Sequence, residues 1–560
     1  MGNAVWAATS QEQTAIDQER RATQQRQEQL ERQNTEQDVR LSVPAPVKAA
    51  RLPSQELPCF VIQTVTIQTE DSDQNGEWTW LLDELDGHQQ LTTPDPVLGR
   101  CLGAQGIQIV IERLQSAVIA RGYVTTRVLA APQNLASGRL DLQALPGRVQ
   151  SIRFEDGSGQ RGSRWNTVPT SSGDVLNLRD VEQTLENYKR VPTVEADINI
   201  VPAAQPGYSD LVITHQQSLP LRLSLGVDNS GTRSTGGYVG NATLSYDNWW
   251  TLSDLFYITV QGDLGDKDPG PRGTRSYTAH YSVPFGYSLL SFTGSTNRYH
   301  QTVAGANANI VYSGTSDTLE AKLSRVIQRD NIGKTTASIK AFQRRSNNYI
   351  DDTEVEVQRR VVSGMEWGLG HRRTIGSAGK GSLEGNITYR VGTGAWGALP
   401  APEQAFDEGT SRMRLWLLDI TAQLPFSALN QSWTVSSALR GQYNKTRLTP
   451  QDRFSIGGRY TVRGFDGLNT LSAEQGWLWR NDISIDVAPQ MQLYAGLDYG
   501  RVAGPSAGNL VGQSLLGQVL GVRGQYQHLQ FDFFWGRPVS KPQFFKTSST
   551  TFGFSLNASF

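Results

Sequence analysis

The sequence predicts a membrane-spanning, all-β protein: a sixteen-stranded barrel preceded by two small α+β modules and a polar N-terminal helix. From Pro220 to the end, apolar and polar residues alternate in stretch after stretch, as a strand between lipid and water requires. Glycine is abundant (55 residues), with 13 Trp, 18 Tyr and 18 Phe, yet only 38% of residues are hydrophobic. That balance suits a wall that turns half its side chains toward a wet lumen. No run approaches the roughly 20 apolar residues of a transmembrane helix. The best, Leu415-Trp-Leu-Leu418, is short.

At 560 residues the chain is too long for one globular domain. Its 52 Lys and Arg balance 53 Asp and Glu, so no basic field exists to attract nucleic acid. The only cysteines are Cys59 and Cys101. An oxidising compartment would pair them across a loop of about 40 residues, worth roughly 3–4 kcal/mol; two free buried thiols are the alternative. The six histidines lack ligand-like spacing, so no metal or cofactor is expected. Gly392-Thr-Gly-Ala-Trp-Gly397 matches a dinucleotide fingerprint, but a Pro-containing loop follows it where a helix should begin. No Walker A loop, zincin motif or nucleophile elbow appears, and no enzyme is read here.

Residues 1–9 have neither a basic n-region nor an apolar core and read as a leader remnant, a signal peptide having been removed or replaced. Residues 10–37 are almost entirely polar, with good helix formers and no Gly or Pro. Asp17–Arg21 and Glu28–Arg32 stand at i,i+4 in the favourable order. A helix without an apolar stripe cannot pack on an ordinary core and belongs in water or in a water-filled pore. Residues 38–57, punctuated by Pro44, Pro46 and Pro53, read as a semi-extended linker.

Two modules follow, at 58–146 and 147–219. The first reads as a strand over 60–68, a short helix over 78–85, a helix over 107–120 and strands over 123–129 and 140–145. Ile107, Val110, Ile111, Leu114 and Val118 fall at helical spacing. The second reads as a strand over 149–154, a helix over 178–189 and strands over 194–201 and 211–214. Each leaves a sheet edge to which an extended chain could add.

The barrel reads as 220–560. Leu221, Leu223, Leu225 and Val227 alternate with Arg222, Ser224, Gly226 and Asp228. The sixth strand is expected to begin near 316, after a long loop over 300–315. Other long loops are expected near 393–411, 444–475 and 537–549, alternating with short turns, which is the bacterial barrel pattern.

One stretch refuses to finish as a strand: Phe454-Ser-Ile-Gly-Gly-Arg-Tyr-Thr-Val-Arg-Gly-Phe465. Gly464, directly after Arg463, permits a left-handed turn. In Gly496-Leu-Asp-Tyr-Gly500, Asp498 falls on the polar, lumen-facing side of its strand. A loop folded back into the lumen would bring Arg463 to Asp498, where two parallel hydrogen bonds can form. Asp482 and Asp486 read as carboxylates lining a wet lumen.

Val462-Arg463-Gly464-Phe465 followed by Gly496-x-Asp498-x-Gly500 resembles the inward-folded loop and partner strand of the outer-membrane polypeptide transporters. These include the two-partner secretion transporters (the TpsB family) and the outer-membrane assembly insertases. The modules resemble POTRA domains; Arg190-Val-Pro192 and the stretch with Gly207 and Asp210 resemble the second module's signature. Phe560 resembles the terminal residue of outer-membrane barrels. The two-partner secretion resemblance implies a monomeric pore in a bacterial outer membrane, in contact with its lipid, with POTRA domains in the periplasm. It further implies that these modules capture the N-terminal secretion domain of one large exoprotein, an adhesin, haemolysin or contact-dependent growth-inhibition toxin. The polar helix would plug the pore and vacate it for passage, which proceeds without ATP. The alternative is an assembly insertase.

Overall fold

In the computed structural model of the protein, the described residues are 38–41, 50–69, 72–87, 91–232, 235–265, 271–304, 308–376 and 380–560. The leader at 1–9 and the polar helix over 10–37, with its Asp17–Arg21 and Glu28–Arg32 pairs, lie outside them.

The first module contains β1 (Phe60–Val61), β2 (Thr64–Thr69), a 3-10 helix (Ser72–Glu84), β3 (Cys101–Leu102), α1 (Ala104–Ala120), β4 (Arg127–Ala130) and β5 (Arg139–Leu145). Its main sheet has the order β2-β5-β4, with β2 parallel to β5. Val110, Leu114 and Val118 form the i,i+4 stripe that seats α1 on Leu140 and Leu142 in a closed core. The start of α1 is capped from a distance: the Glu56 carboxylate accepts the amides of Gly103, Gln105 and Gly106. Negative charge there satisfies donors the helix cannot use itself and complements its dipole. The strand expected over 123–129 begins only at Arg127. Gly122 at φ +98° ends the helix in a turn, and Tyr123 packs against Trp78 at 5.1 Å.

The second module contains β6 (Arg148–Phe154), α2 (Leu178–Lys189), β7 (Val194–Pro202) and β8 (Tyr208–Gln217), in sheet order β6-β8-β7. Helix α2 is buried on both sides. Val181, Leu185 and Tyr188 pack on the sheet, while the buried polar residues Glu182, Glu186 and Asn187 engage the barrel.

Sixteen strands close the barrel: β9 (Leu221–Asp228), β10 (Val239–Asp247), β11 (Leu255–Asp263), β12 (Arg272–Phe285), β13 (Ser288–Ala304), β14 (Asn309–Arg329) and β15 (Gly333–Ile350); then, past the short β16 (Thr353–Glu354), β17 (Arg360–Ile375), β18 (Gly381–Thr393), β19 (Arg414–Ala428) and β20 (Gln431–Asn444). Two short loop strands, β21 (Phe454–Ile456) and β22 (Leu471–Ala473), precede β23 (Gln475–Ala488), β24 (Met491–Ala503), β25 (Ser514–Tyr526), β26 (Leu529–Ser540) and β27 (Thr551–Ser559). The pairings are antiparallel, and β27 returns to β9 through Ser555↔Asp228 to Ser559↔Ser224. Closure leaves no strand edge facing lipid. The expected alternation is present on β24, where Leu493 and Leu497 are 48% and 51% exposed on the outside and Asp498 is 1% exposed inside.

The long loop expected over 300–315 is a correction. Strands β13 and β14 remain paired as far as Ala304↔Asn309, so the hairpin rises well past the expected ends. Its Ala, Asn and Gly residues have weak strand propensity, and pairing with a neighbour overrides it. The stretch read as a linker is also anchored at both described ends. Leu52 joins the first module's core, while Val39 and Leu41 pack against that of the second.

Cys59 and Cys101 form a disulfide that ties β1 to β3 across 42 residues. Replacing both by Ser is expected to destabilise the first module by about 4 kcal/mol in the loop-entropy account. The barrel should keep its heat-dependent gel mobility, since no strand of the wall contains either residue. Denaturant unfolding followed through tryptophan emission checks the first expectation.

Candidate functional site

The loop between β20 and β23 folds inward, and its conformation is built locally. Strands β21 and β22 pair to form a stem. Beyond it, Gly457 takes φ +113°, and the amides of Gly457 and Gly458 both donate to the Thr461 hydroxyl at 3.1 Å. Val462 and Phe465 are buried in an apolar cluster with Ile456, Leu471, Leu478 and Leu515, and Phe465 meets Phe545 edge-on at 5.8 Å. The loop therefore shares a small core with β23 and β25, which aims Arg463 at the barrel wall.

Arg463 is 4% exposed and bound on two sides. Its Nε donates to Asp498 Oδ2 at 2.7 Å and its Nη2 to Asp498 Oδ1 at 2.8 Å, while its backbone amide donates to Asp498 Oδ2 at 2.9 Å. Asp482, on β23, accepts from Nη2 at 2.5 Å and from Nη1 at 3.3 Å. One cation thus faces two carboxylates on adjacent strands. The excess negative charge is offset by Arg480, 3.8 Å from Asp498, and Arg523, 3.6 Å from Asp482. A fork of five N–H donors is the group suited to bridging two carboxylates; a lysine offers no planar match.

Glycines clear the path for the loop. A Cβ on Gly496 would lie 2.7 Å from Arg463 Nη2 and 2.5 Å from Asp482 Oδ1, and one on Gly500 would lie 2.8 Å from Val462. Gly464 takes φ +91°, and a Cβ there would come within 2.5 Å of the Arg537 carbonyl oxygen. On β25 and β26, Gly517 and Gly536 do the same for the Arg463 carbonyl and the Gly464 Cα. Sequence reading singled out Gly464, Gly496 and Gly500, but missed Gly517, Gly536 and the pairing role of Asp482. In the structure Asp482 lies directly across from Gly496 in the ladder, on the same lumen face.

The second module's signature residues divide. Arg190 leaves the module: it donates to the Ser253 carbonyl at 2.8 Å, in the β10–β11 turn, and to the Ser282 hydroxyl at 2.6 Å on β12. Pro192 is exposed just beyond the helix. Gly207 turns the chain between β7 and β8 at φ +78°, and Asp210 accepts from the Ser151 hydroxyl at 2.7 Å. Beside Arg190, Glu182 and Glu186 pair with Arg329, and Glu186 with Lys334, at the β14–β15 turn. Burial lifts the Asp180 carboxyl above its ordinary range, although the Tyr287 hydroxyl donates to it. Phe560 is 65% exposed, with its backbone paired to Leu223 on β9.

Gly517→Ala places a methyl group where the Arg463 carbonyl oxygen now lies, 1.8 Å from the new carbon. The wall is expected to form, with loop docking weakened by about 1–3 kcal/mol. Faster cleavage of the loop by external protease, at unchanged heat-dependent mobility, is the readout.

Comparison with known proteins fits this architecture. Residues 207–524 match the family model of the haemolysin secretion/activation protein ShlB/FhaC/HecB. Residues 148–202 match a POTRA domain, and 83–147 a POTRA domain of ShlB type. The outer membrane transporter CdiB-2 of Burkholderia pseudomallei is 36% identical, over 99% of this chain and 94% of its own. The hemolysin transporter protein HpmB of Proteus mirabilis is 26% identical, over 79% of this chain and 78% of its own. The solved structure of CdiB from Acinetobacter baumannii superimposes with a TM-score of 0.83 at 30% identity, covering 98% of both chains. With two POTRA domains on the periplasmic side of a closed outer-membrane barrel, the chain belongs to the ShlB/FhaC/HecB family of secretion transporters.

Proposed function

We infer that this chain is the outer-membrane pore of a two-partner secretion system, carrying one large exoprotein from the periplasm to the cell surface. The observation that carries the reading is the inward loop, pinned through Arg463 to Asp498 and Asp482, together with a second module docked on the periplasmic turns. The insertase alternative is not favoured, since the relatives named above are transporters.

In this reading the POTRA domains receive the exoprotein's N-terminal secretion domain and the barrel conducts the unfolded chain outward, without ATP. The exoprotein is an adhesin, a haemolysin or a contact-dependent growth-inhibition toxin. A wall closed by one chain supports a pore that acts as a monomer in direct contact with outer-membrane lipid. It is a conduit with no catalytic step, cofactor or nucleic-acid partner. Arg463 and Asp498 lock the loop, Val462 and Phe465 seat it, and Gly464, Gly496 and Gly500 give it room. The polar helix of 10–37 plugs the pore through its charged faces and leaves it for transport.

The test is secretion of the large exoprotein encoded beside this gene. It should reach the surface or medium only when this chain is present; indifferent secretion together with failed assembly of other barrels contradicts the reading. Arg463→Ala is expected to leave the barrel folded but to impair secretion. Removing one partner of a buried pair costs about 3–5 kcal/mol and strands the other charge. Normal secretion at equal surface abundance would count against the lock. Deleting residues 10–37 is expected to raise ion conductance in a planar lipid bilayer, and unchanged conductance would remove the plug.

A further inference from the structure

We propose that the cleft between the second module and the first periplasmic turns of the barrel binds a phospholipid of the membrane's periplasmic leaflet. The segment over 161–170, between β6 and α2, is held like a core element. Asn166 Nδ2 donates to the Leu252 carbonyl at 2.7 Å and to the Pro284 carbonyl at 3.0 Å. The Gly286 amide donates to the Asn166 carbonyl at 2.7 Å, and the Tyr188 hydroxyl to the Ser163 carbonyl at 2.7 Å. Asn166 and Thr167 are fully buried, yet the adjacent Trp165 is 71% exposed. A single exposed ring is ordinary by itself; a cluster of them points to a partner.

Its surroundings identify that partner. The Trp165 ring lies 5.9 Å from Phe285, which ends β12 on the same outward parity as Tyr277. In the neighbouring turn Trp249 and Trp250 are 48% and 64% exposed. These rings stand at the periplasmic end of the lipid-facing wall, where barrels carry their aromatic girdle. Trp165 extends that girdle from the barrel onto the module. Behind it lies a cleft of about 830 Å³ with apolar walls from Ile152, Phe154, Val168 and Leu252, and serine and threonine hydroxyls beside them. At its edge is the exposed Arg164, whose Nη1 donates to the Ile152 carbonyl and whose other donors remain for a ligand. Apolar walls suit an acyl chain, a tryptophan suits the headgroup level, and a guanidinium suits a phosphodiester. Ile152 and Phe154 belong to β6, an edge strand, so an extended peptide is the competing occupant; the aromatic rings around Trp165 favour the lipid. The bound lipid becomes a further contact fixing the second module beneath the barrel.

The full chain in phospholipid nanodiscs tests this. A nitroxide on Trp165→Cys should collide more with oxygen than with a water-soluble nickel chelate, whereas one on Ser137→Cys, exposed in the first module, should show the reverse. Native mass spectrometry of protein released from the discs should show a retained phospholipid, falling about tenfold in Arg164→Ala. Trp165→Cys and Arg164→Ala lie in the second module, so protease resistance of that module verifies its folding, and heat-dependent mobility reports the barrel. Water-like accessibility at position 165, or undiminished phospholipid on Arg164→Ala, overturns the proposal.

Discussion

A single guanidinium held between two carboxylates on the lumen wall is the constraint around which the barrel is arranged. Removing Arg463 from bulk water is unfavourable unless its donors are matched, and Asp498 and Asp482 match them from adjacent strands. The arrangement in turn needs the backbone to approach the wall closely. Gly496, Gly500, Gly517 and Gly536 are where that approach is made, and a methyl group at any of them meets the loop. The apolar cluster of Val462, Phe465 and Phe545 shields the pair and supplies the burial that holds the loop in place.

The periplasmic half obeys a similar logic with different chemistry. Helix α2 has no free face: one side packs on its own sheet, and the other carries Glu182 and Glu186 to the basic residues of the β14–β15 turn. Arg190 adds bonds to the β10–β11 turn and to β12. The second module is therefore coupled to turns on both sides of the β12–β13 hairpin. Residues 38–41 join the same junction, since the Leu41 amide donates to Glu182 Oε1 at 2.9 Å. Residues 38–41 are thus held at the contact between module and barrel.

Much of this was legible because two-fold alternation survives in a wall with lipid on one side and water on the other. Leu493 and Leu497 against Asp498 needed only a parity count. Asp498 was legible as a partner because it lies between two glycines on the lumen face. Asp482 was missed because its signal, a place opposite Gly496, emerges only once β23 and β24 are paired in register; alone, a lumen carboxylate facing water and one facing a folded-back loop look alike. Gly517 and Gly536 were hidden for a related reason: their neighbour across space is a carbonyl or Cα some 50 to 70 residues away, which no local pattern encodes. The paired rise of β13 and β14 was missed because weak strand formers held by a neighbour resemble a loop when read one strand at a time.

The most direct test of the account is a double-mutant cycle on the lock. Secretion is measured for Arg463→Ala, Asp498→Ala and the double variant at matched surface abundance. If the two residues act as one lock, either single change disables it and the double variant secretes no less than the worse single. Losses that multiply in the double variant would mean that Arg463 and Asp498 serve transport separately, contradicting the lock.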